Sequence, residues 1–265
     1  MKTHISSTLA AIILLCALGA NAQQKVSFTL HGTYAYGLNQ NSEHYINPLP
    51  GYDDDEKDYY SYGTGTNIGL SAGYGISENI ALNLDLTYIF SNAYEIEFYS
   101  ENVTHRARML NITPGIVMSA GYDKFNPYAK AGIVLGIGKI IIETEADNTY
   151  NEYYSKEELT GGLALGINGA LGIEYSISEM FQIFAEASIT SLSWAPEKAE
   201  YVTYETNGVD YLPNMTTSEK EVNFVNEYEE EYGMDDDDPD EPEKRLKNNY
   251  PFSNAGLRLG IKISL

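Results

Sequence analysis

The sequence predicts an all-β protein, an eight-stranded antiparallel barrel of up-and-down meander that crosses a lipid bilayer. Three observations carry this expectation: an export leader, segments in which apolar and small residues alternate, and connections that are alternately short and long.

The leader comes first. Lys2 gives a short basic start, and Leu9 to Ala20 is a mostly apolar run containing Ile12, Ile13, Leu14 and Leu15. Ala20-Asn21-Ala22 supplies the small-x-small site of signal peptidase, so residues 1–22 are expected to be cleaved and 23–265 to form the barrel. The apolar run is shorter than the roughly 20 residues that span a bilayer as a helix. Cys16 invites a lipoprotein reading, but Leu15 stands where such signals place a small residue. Cys16 is also the only cysteine, so no disulfide or thiolate metal site is expected after cleavage.

Beyond the leader the recurring signal is period-2 alternation. Ile68, Leu70, Ala72, Tyr74 and Ile76 alternate with Asn67, Gly69, Ser71, Gly73 and Gly75. Leu82, Leu84, Leu86, Tyr88 and Phe90 alternate with Asn83, Asp85 and Thr87. Leu163 to Tyr175 and Leu257 to Leu265 repeat the pattern. Eight strands are predicted in this way, at 26–38, 66–76, 80–90, 108–122, 127–142, 159–177, 181–194 and 251–265.

The connections then sort themselves. Those at 77–79, 123–126 and 178–180 are tight turns, while 39–65, 91–107, 143–158 and 195–250 are long and polar. Tight turns at one end and long loops at the other describe a bacterial outer-membrane barrel, with the turns in the periplasm and the loops outside. The medium decides which face points where. The second face is mainly Gly, Ser, Ala and Asn, which suits the narrow interior of eight strands, so the apolar stripe is expected to face lipid.

Charge excludes one class of partner. The chain has 16 Lys and Arg against 38 Asp and Glu, a formal charge of -22, so no basic face for nucleic acid is expected. Acid concentrates in the long connections; Glu219 to Arg245 holds 13 acidic and 3 basic residues. The expected surroundings are outer-membrane lipid and lipopolysaccharide.

Gly121 to Gly138 (GYDKFNPYAKAGIVLGIG) and Gly169 to Ser188 (GALGIEYSISEMFQIFAEAS) together resemble the small OmpA/OmpX-type outer-membrane β-barrels. The matching features are Pro127-Tyr128 after a short turn, Gly172 to Tyr175 before one, and Glu186 in the strand that follows. The resemblance covers essentially 23–265 and implies the fold and the location. It also implies recognition of the last strand by the barrel-assembly machinery, although these barrels usually end in an aromatic residue and this chain ends in Leu265.

Parity places His31, Asp85, Lys130, Glu174, Glu186, Arg258 and Lys262 on the interior face. Charges in a narrow low-dielectric tube are costly unless paired, so a salt-bridged closure of the lumen is expected, with Arg258 and Glu186 as a pair across neighbouring strands. A gated ion path is the alternative. A lipid A-modifying enzyme would need a His beside a Ser and an acid at the outer rim. His44 and His105 lack that spacing, so no catalytic residue is assigned. Asp53 to Glu56 and Asp235 to Asp238 offer oxygens for calcium but lack the alternating ligands and central glycine of an EF-hand loop; no metal or cofactor site is assigned. Tyr52, Tyr59, Tyr60 and Tyr62, with Tyr201, Tyr204 and Tyr211, suit either an interface girdle or a surface that binds an extracellular ligand.

Overall fold

The computed structural model describes residues 26–38, 40–41, 59–98, 101–147, 152–227 and 238–265. The leader, Tyr52, His44 and the acidic runs 53–56 and 235–237 lie outside the described residues. Eight strands form the barrel: β1 (Val26–Gly37), β2 (Gly65–Gly75), β3 (Ile80–Ser91), β4 (Glu101–Ser119), β5 (Phe125–Asp147), β6 (Ala164–Ser176), β7 (Phe181–Trp194) and β8 (Asn254–Ser264). Each pairs antiparallel with the next, and β8 pairs with β1. The ladder therefore has no edge within the band, and the Leu265 N–H still donates to Val26 O at 2.8 Å.

The register fixes the width. A walk across the ladder from Tyr36 passes Ala255, Ile189, Gly169, Ala131, Ile116, Leu82 and Tyr74. It returns to β1 at Val26, ten residues lower, which is a shear of ten. Eight strands at such a stagger tilt by about 35–45° and leave an interior that side chains fill.

Through the middle of the wall the two faces differ as lipid and lumen demand. On β3, Leu82, Leu84, Leu86, Tyr88 and Phe90 are exposed, whereas Asp85, Thr87, Ile89 and Ser91 are buried. Towards the long-loop end the pattern inverts. Leu110 points out and Asn111 in, but one step further Arg108 points out and Met109 is fully buried. On β5, Ile137 is the last exposed apolar residue before outward Lys139 and buried Ile140. On β7, exposed Ile189 gives way to Ser191, beside buried Leu192 and Trp194. Apolar-out becomes apolar-in where the outer medium changes from hydrocarbon to water.

That inversion explains where the structure departs from the sequence expectation. The segments 91–107, 143–158 and 195–250 are polar but are not simply loops. β4 begins at Glu101 and β5 runs to Asp147. Tyr94–Phe98 pairs with β4, Glu152–Thr160 with the outer half of β5, and Lys198–Thr206 with Glu152–Thr160. Glu221–Val225 and Glu243–Leu246 add further strands on that side. A bilayer crossing takes about 9–11 residues of strand, whereas β5 has 23. The excess forms a wall that rises above the band.

The inward side of this wall carries a core that the sequence reading lacked. Ile89, Met109, Val134, Ile140, Leu159, Leu192 and Trp194 converge with Val222, Phe224, Tyr250 and Phe252, all buried. The segments 60–63 and 250–253 fold into the mouth: Tyr62 N–H donates to Pro251 O at 2.9 Å, and Phe252 N–H donates to Leu192 O at 3.0 Å. Tyr60 and Tyr62, expected at a girdle or a binding surface, are instead buried here. Their rings pack because this end of the lumen is lined by hydrocarbon. Trp194→Ala is expected to cost about 3–5 kcal/mol. Leu165→Ala, on the exposed face, should cost far less. Urea titration in detergent, followed by tryptophan-independent circular dichroism, measures the difference.

Candidate functional site

Below the apolar core the lumen narrows onto charges contributed by five strands. Alternation turns His31 of β1, Asp85 of β3, Lys130 of β5, Glu186 of β7 and Arg258 of β8 inward. His31, Asp85, Glu186 and Arg258 are each at most 9% exposed, so these groups have left water and depend on one another.

They form one continuous chain. His31 Nε2 lies 3.1 Å from Asp85 Oδ2, and Arg258 Nη1 donates to the same oxygen at 3.2 Å. The guanidinium is also 3.2 Å from Glu186 Oε1, as an ion pair without hydrogen-bond alignment. The other oxygen of Glu186 receives Lys130 Nζ at 2.8 Å and the Tyr128 hydroxyl at 3.0 Å. Thr87 donates to Asp85 Oδ1, and Arg258 Nε donates to Thr33 Oγ1 at 3.2 Å. Arg258 is thus shared between two carboxylates, where sequence reasoning had paired it with Glu186 alone.

Lys262 and Glu174 stand apart. Lys262 Nζ donates to both oxygens of Glu174, at 2.8 and 3.0 Å. Both line a vestibule of about 1010 Å³ at the short-turn end, with Glu78, Asp123, Glu179 and Gln182. Between the chain of charges and the apolar core lies a cavity of about 40 Å³, into whose lining Asn67 and Asn111 contribute. Its volume suits on the order of two or three waters.

Small residues make the room. A Cβ on Gly69 would sit 2.3 Å from the His31 ring, and one on Gly172 would sit 2.3 Å from the Tyr128 ring. Both rings lie flat against the wall because these positions carry no side chain. Tyr128 was visible in the sequence only as the aromatic of a Pro-Tyr pair; its inward parity could have joined it to the charged set.

His105, weighed above as a catalytic candidate, sits on the inward side of β4 beyond the lipid band. Its Nδ1 is 2.8 Å from the Tyr62 hydroxyl, and its ring packs on Tyr94. Burial pushes its pKa down from 6.5 to about 4. Among the described residues no group of acids, histidines or cysteines is arranged to hold a metal.

Two predictions follow from this geometry. Arg258→Ala leaves buried Asp85 with His31 alone and buried Glu186 with Lys130 alone as ion-pair partners among the described residues, and is expected to cost about 3–5 kcal/mol; Lys262→Ala, facing the open vestibule, should cost about 1 kcal/mol or less. Urea midpoints of the refolded variants decide. For His105, the unfolded chain takes up a proton near 6.5 while the folded chain resists until about 4. Its contribution is therefore full above 6.5 and is lost as pH falls from 6.5 towards 4. Replacement by Phe should flatten the pH dependence of the unfolding midpoint across that window.

A family model described as "Outer membrane protein beta-barrel domain" matches residues 7–211. Among solved structures, the Neisserial surface protein A is similar at 11% identity, covering 91% of this chain and 96% of that one, with a TM-score of 0.34. CarO2 of Acinetobacter baumannii is similar at 8% identity, covering 92% and 100%, with a TM-score of 0.38. No curated protein matches the chain.

Proposed function

Because the chain belongs to the outer membrane protein beta-barrel domain family and resides in the bacterial outer membrane, we propose that it is a non-enzymatic barrel whose lumen is closed. It supports envelope integrity and carries a raised wall and acidic loops on the outside. One observation carries the reading: two unlike layers lie one behind the other across a single narrow lumen. The outer layer is apolar, with Trp194 and Phe252 fully buried. The inner layer is the chain of charges from His31 to Lys130.

The two layers oppose different solutes. An ion entering the apolar layer loses its hydration without gaining a partner, which costs several kcal/mol or more. A neutral sugar meets a lumen already filled by side chains. A second reading, attachment to an extracellular ligand, is favoured by the tyrosines of the raised wall. Tyr204 packs edge-on against Tyr153 and Tyr201, with centroids 5.3 and 5.8 Å away. Burial and the Glu157 carboxylate push Tyr201 up to about 12, so its hydroxyl stays a neutral donor.

Proteoliposomes test the closure. The wild type is expected to give neither arabinose-driven swelling nor single-channel current. Arg258→Ala alone should remain silent, because the apolar layer still stands. Arg258→Ala combined with Trp194→Ala and Phe252→Ala should conduct small ions. Current through the wild type comparable to that triple variant rejects the closed lumen.

A further inference from the structure

We propose that the outward face of β4 and β5, centred on Arg108 and Lys139, binds the phosphorylated headgroup of a glycolipid in the outer leaflet. Arg108 and Lys139 are direct partners across the ladder, and the next outward pair towards the membrane is Leu110 with Ile137. Both of these apolar residues are exposed, at 40% and 58%. The basic pair is therefore the first rung above hydrocarbon, at the level of the headgroups.

The charge at this rung is out of keeping with the rest of the molecule. The chain carries -22 overall, yet Arg106, Arg108, Lys139 and Lys156 gather on one outward patch. Two carboxylates serve these four cations. Glu143 meets Arg106 and Lys156, and Glu158 receives Lys139 at 3.0 and 3.1 Å. Arg108 has no carboxylate partner among the described residues. Its guanidinium lies 5.2 Å over the Phe90 ring and donates through Nη1 to Ala107 O at 3.1 Å. It is thus held against the wall with donors to spare.

Both carboxylates pair on rungs further from the membrane, Glu143 opposite Thr104 and Glu158 opposite Ile141. Acid is displaced outward and base is kept beside the lipid. A phosphate monoester accepts charge-assisted hydrogen bonds from guanidinium and ammonium together. The acyl chains below it would lie along Leu110 and Ile137. A basic rung at the surface of an anionic leaflet is attracted to it in any case; the fixed Arg108 makes the attraction local.

Native mass spectrometry on protein in phosphatidylcholine nanodiscs tests this, with bisphosphorylated or dephosphorylated lipid A added. The wild type is expected to retain the bisphosphorylated form. The double variant Arg108→Gln with Lys139→Gln should lose about tenfold in retention, the scale of one charge-assisted contact. Lys244→Gln with Lys247→Gln, on the loop side, should retain as the wild type does. If the double variant fails to fold, Lys139→Gln alone gives the same comparison. Equal retention by variant and wild type, or equal retention of the dephosphorylated lipid, overturns the proposal in favour of the apolar belt. Displacement by millimolar inorganic phosphate overturns it in favour of a free-anion site.

Discussion

Closing one sheet on itself is the constraint on which everything else in this molecule rests. In hydrocarbon no water is available to satisfy backbone amides, so a spanning β-sheet must pair every strand on both sides. Once β8 has joined β1, each strand faces lipid on one side and its seven fellows on the other. Eight strands at a shear of ten leave so little interior that what points inward must pack or pair. The charged chain, the apolar core and the glycines beneath His31 and Tyr128 are three answers to that shortage of space.

The two inward layers obey the same rule in different media. In the outer part, segments 60–63 and 250–253 return into the mouth and bury aromatic rings against Leu192 and Trp194. The gain there scales with the apolar area removed from water. Deeper in, Asp85 and Glu186 sit where an unpaired carboxylate would be prohibitively costly, and Arg258 bridges both. Such an arrangement gives little net stability compared with an apolar replacement, but it strongly penalises loss of any one member.

Much of this was legible in the sequence, for a simple reason. Period 2 assigns each residue to a face, so Leu82 and Asp85 declare their sides without a structure. Partner choice was less legible: that Arg258 reaches Asp85 on β3 as well as Glu186 depends on how far a side chain crosses the tube. Nor could period 2 reveal the inversion near Leu110 and Ile137. The alternation continues unbroken through it; only the meaning of the two faces changes, and the polar stretches 143–147, 152–158 and 198–206 therefore read as loops when they are wall. The aromatic core escaped for a related reason: Tyr60, Tyr62 and Tyr250 lie in connections, where no periodicity announces burial, and Phe252, expected in the last strand, precedes its start at Asn254.

The charged chain draws on β1, β3, β5, β7 and β8, so its members are scattered from His31 to Arg258 along the polypeptide. Emerging from the N-terminus, the chain acquires Asp85 and later Glu186 long before the guanidinium that balances them. A partly assembled sheet lacking its last strand therefore carries acid that is not fully offset, on the side that must become dry. Docking of β8 supplies the missing cation in the same step that seals the seam. Neutrality of the interior and completion of the cylinder are one event, which penalises any premature, unclosed intermediate left in the bilayer.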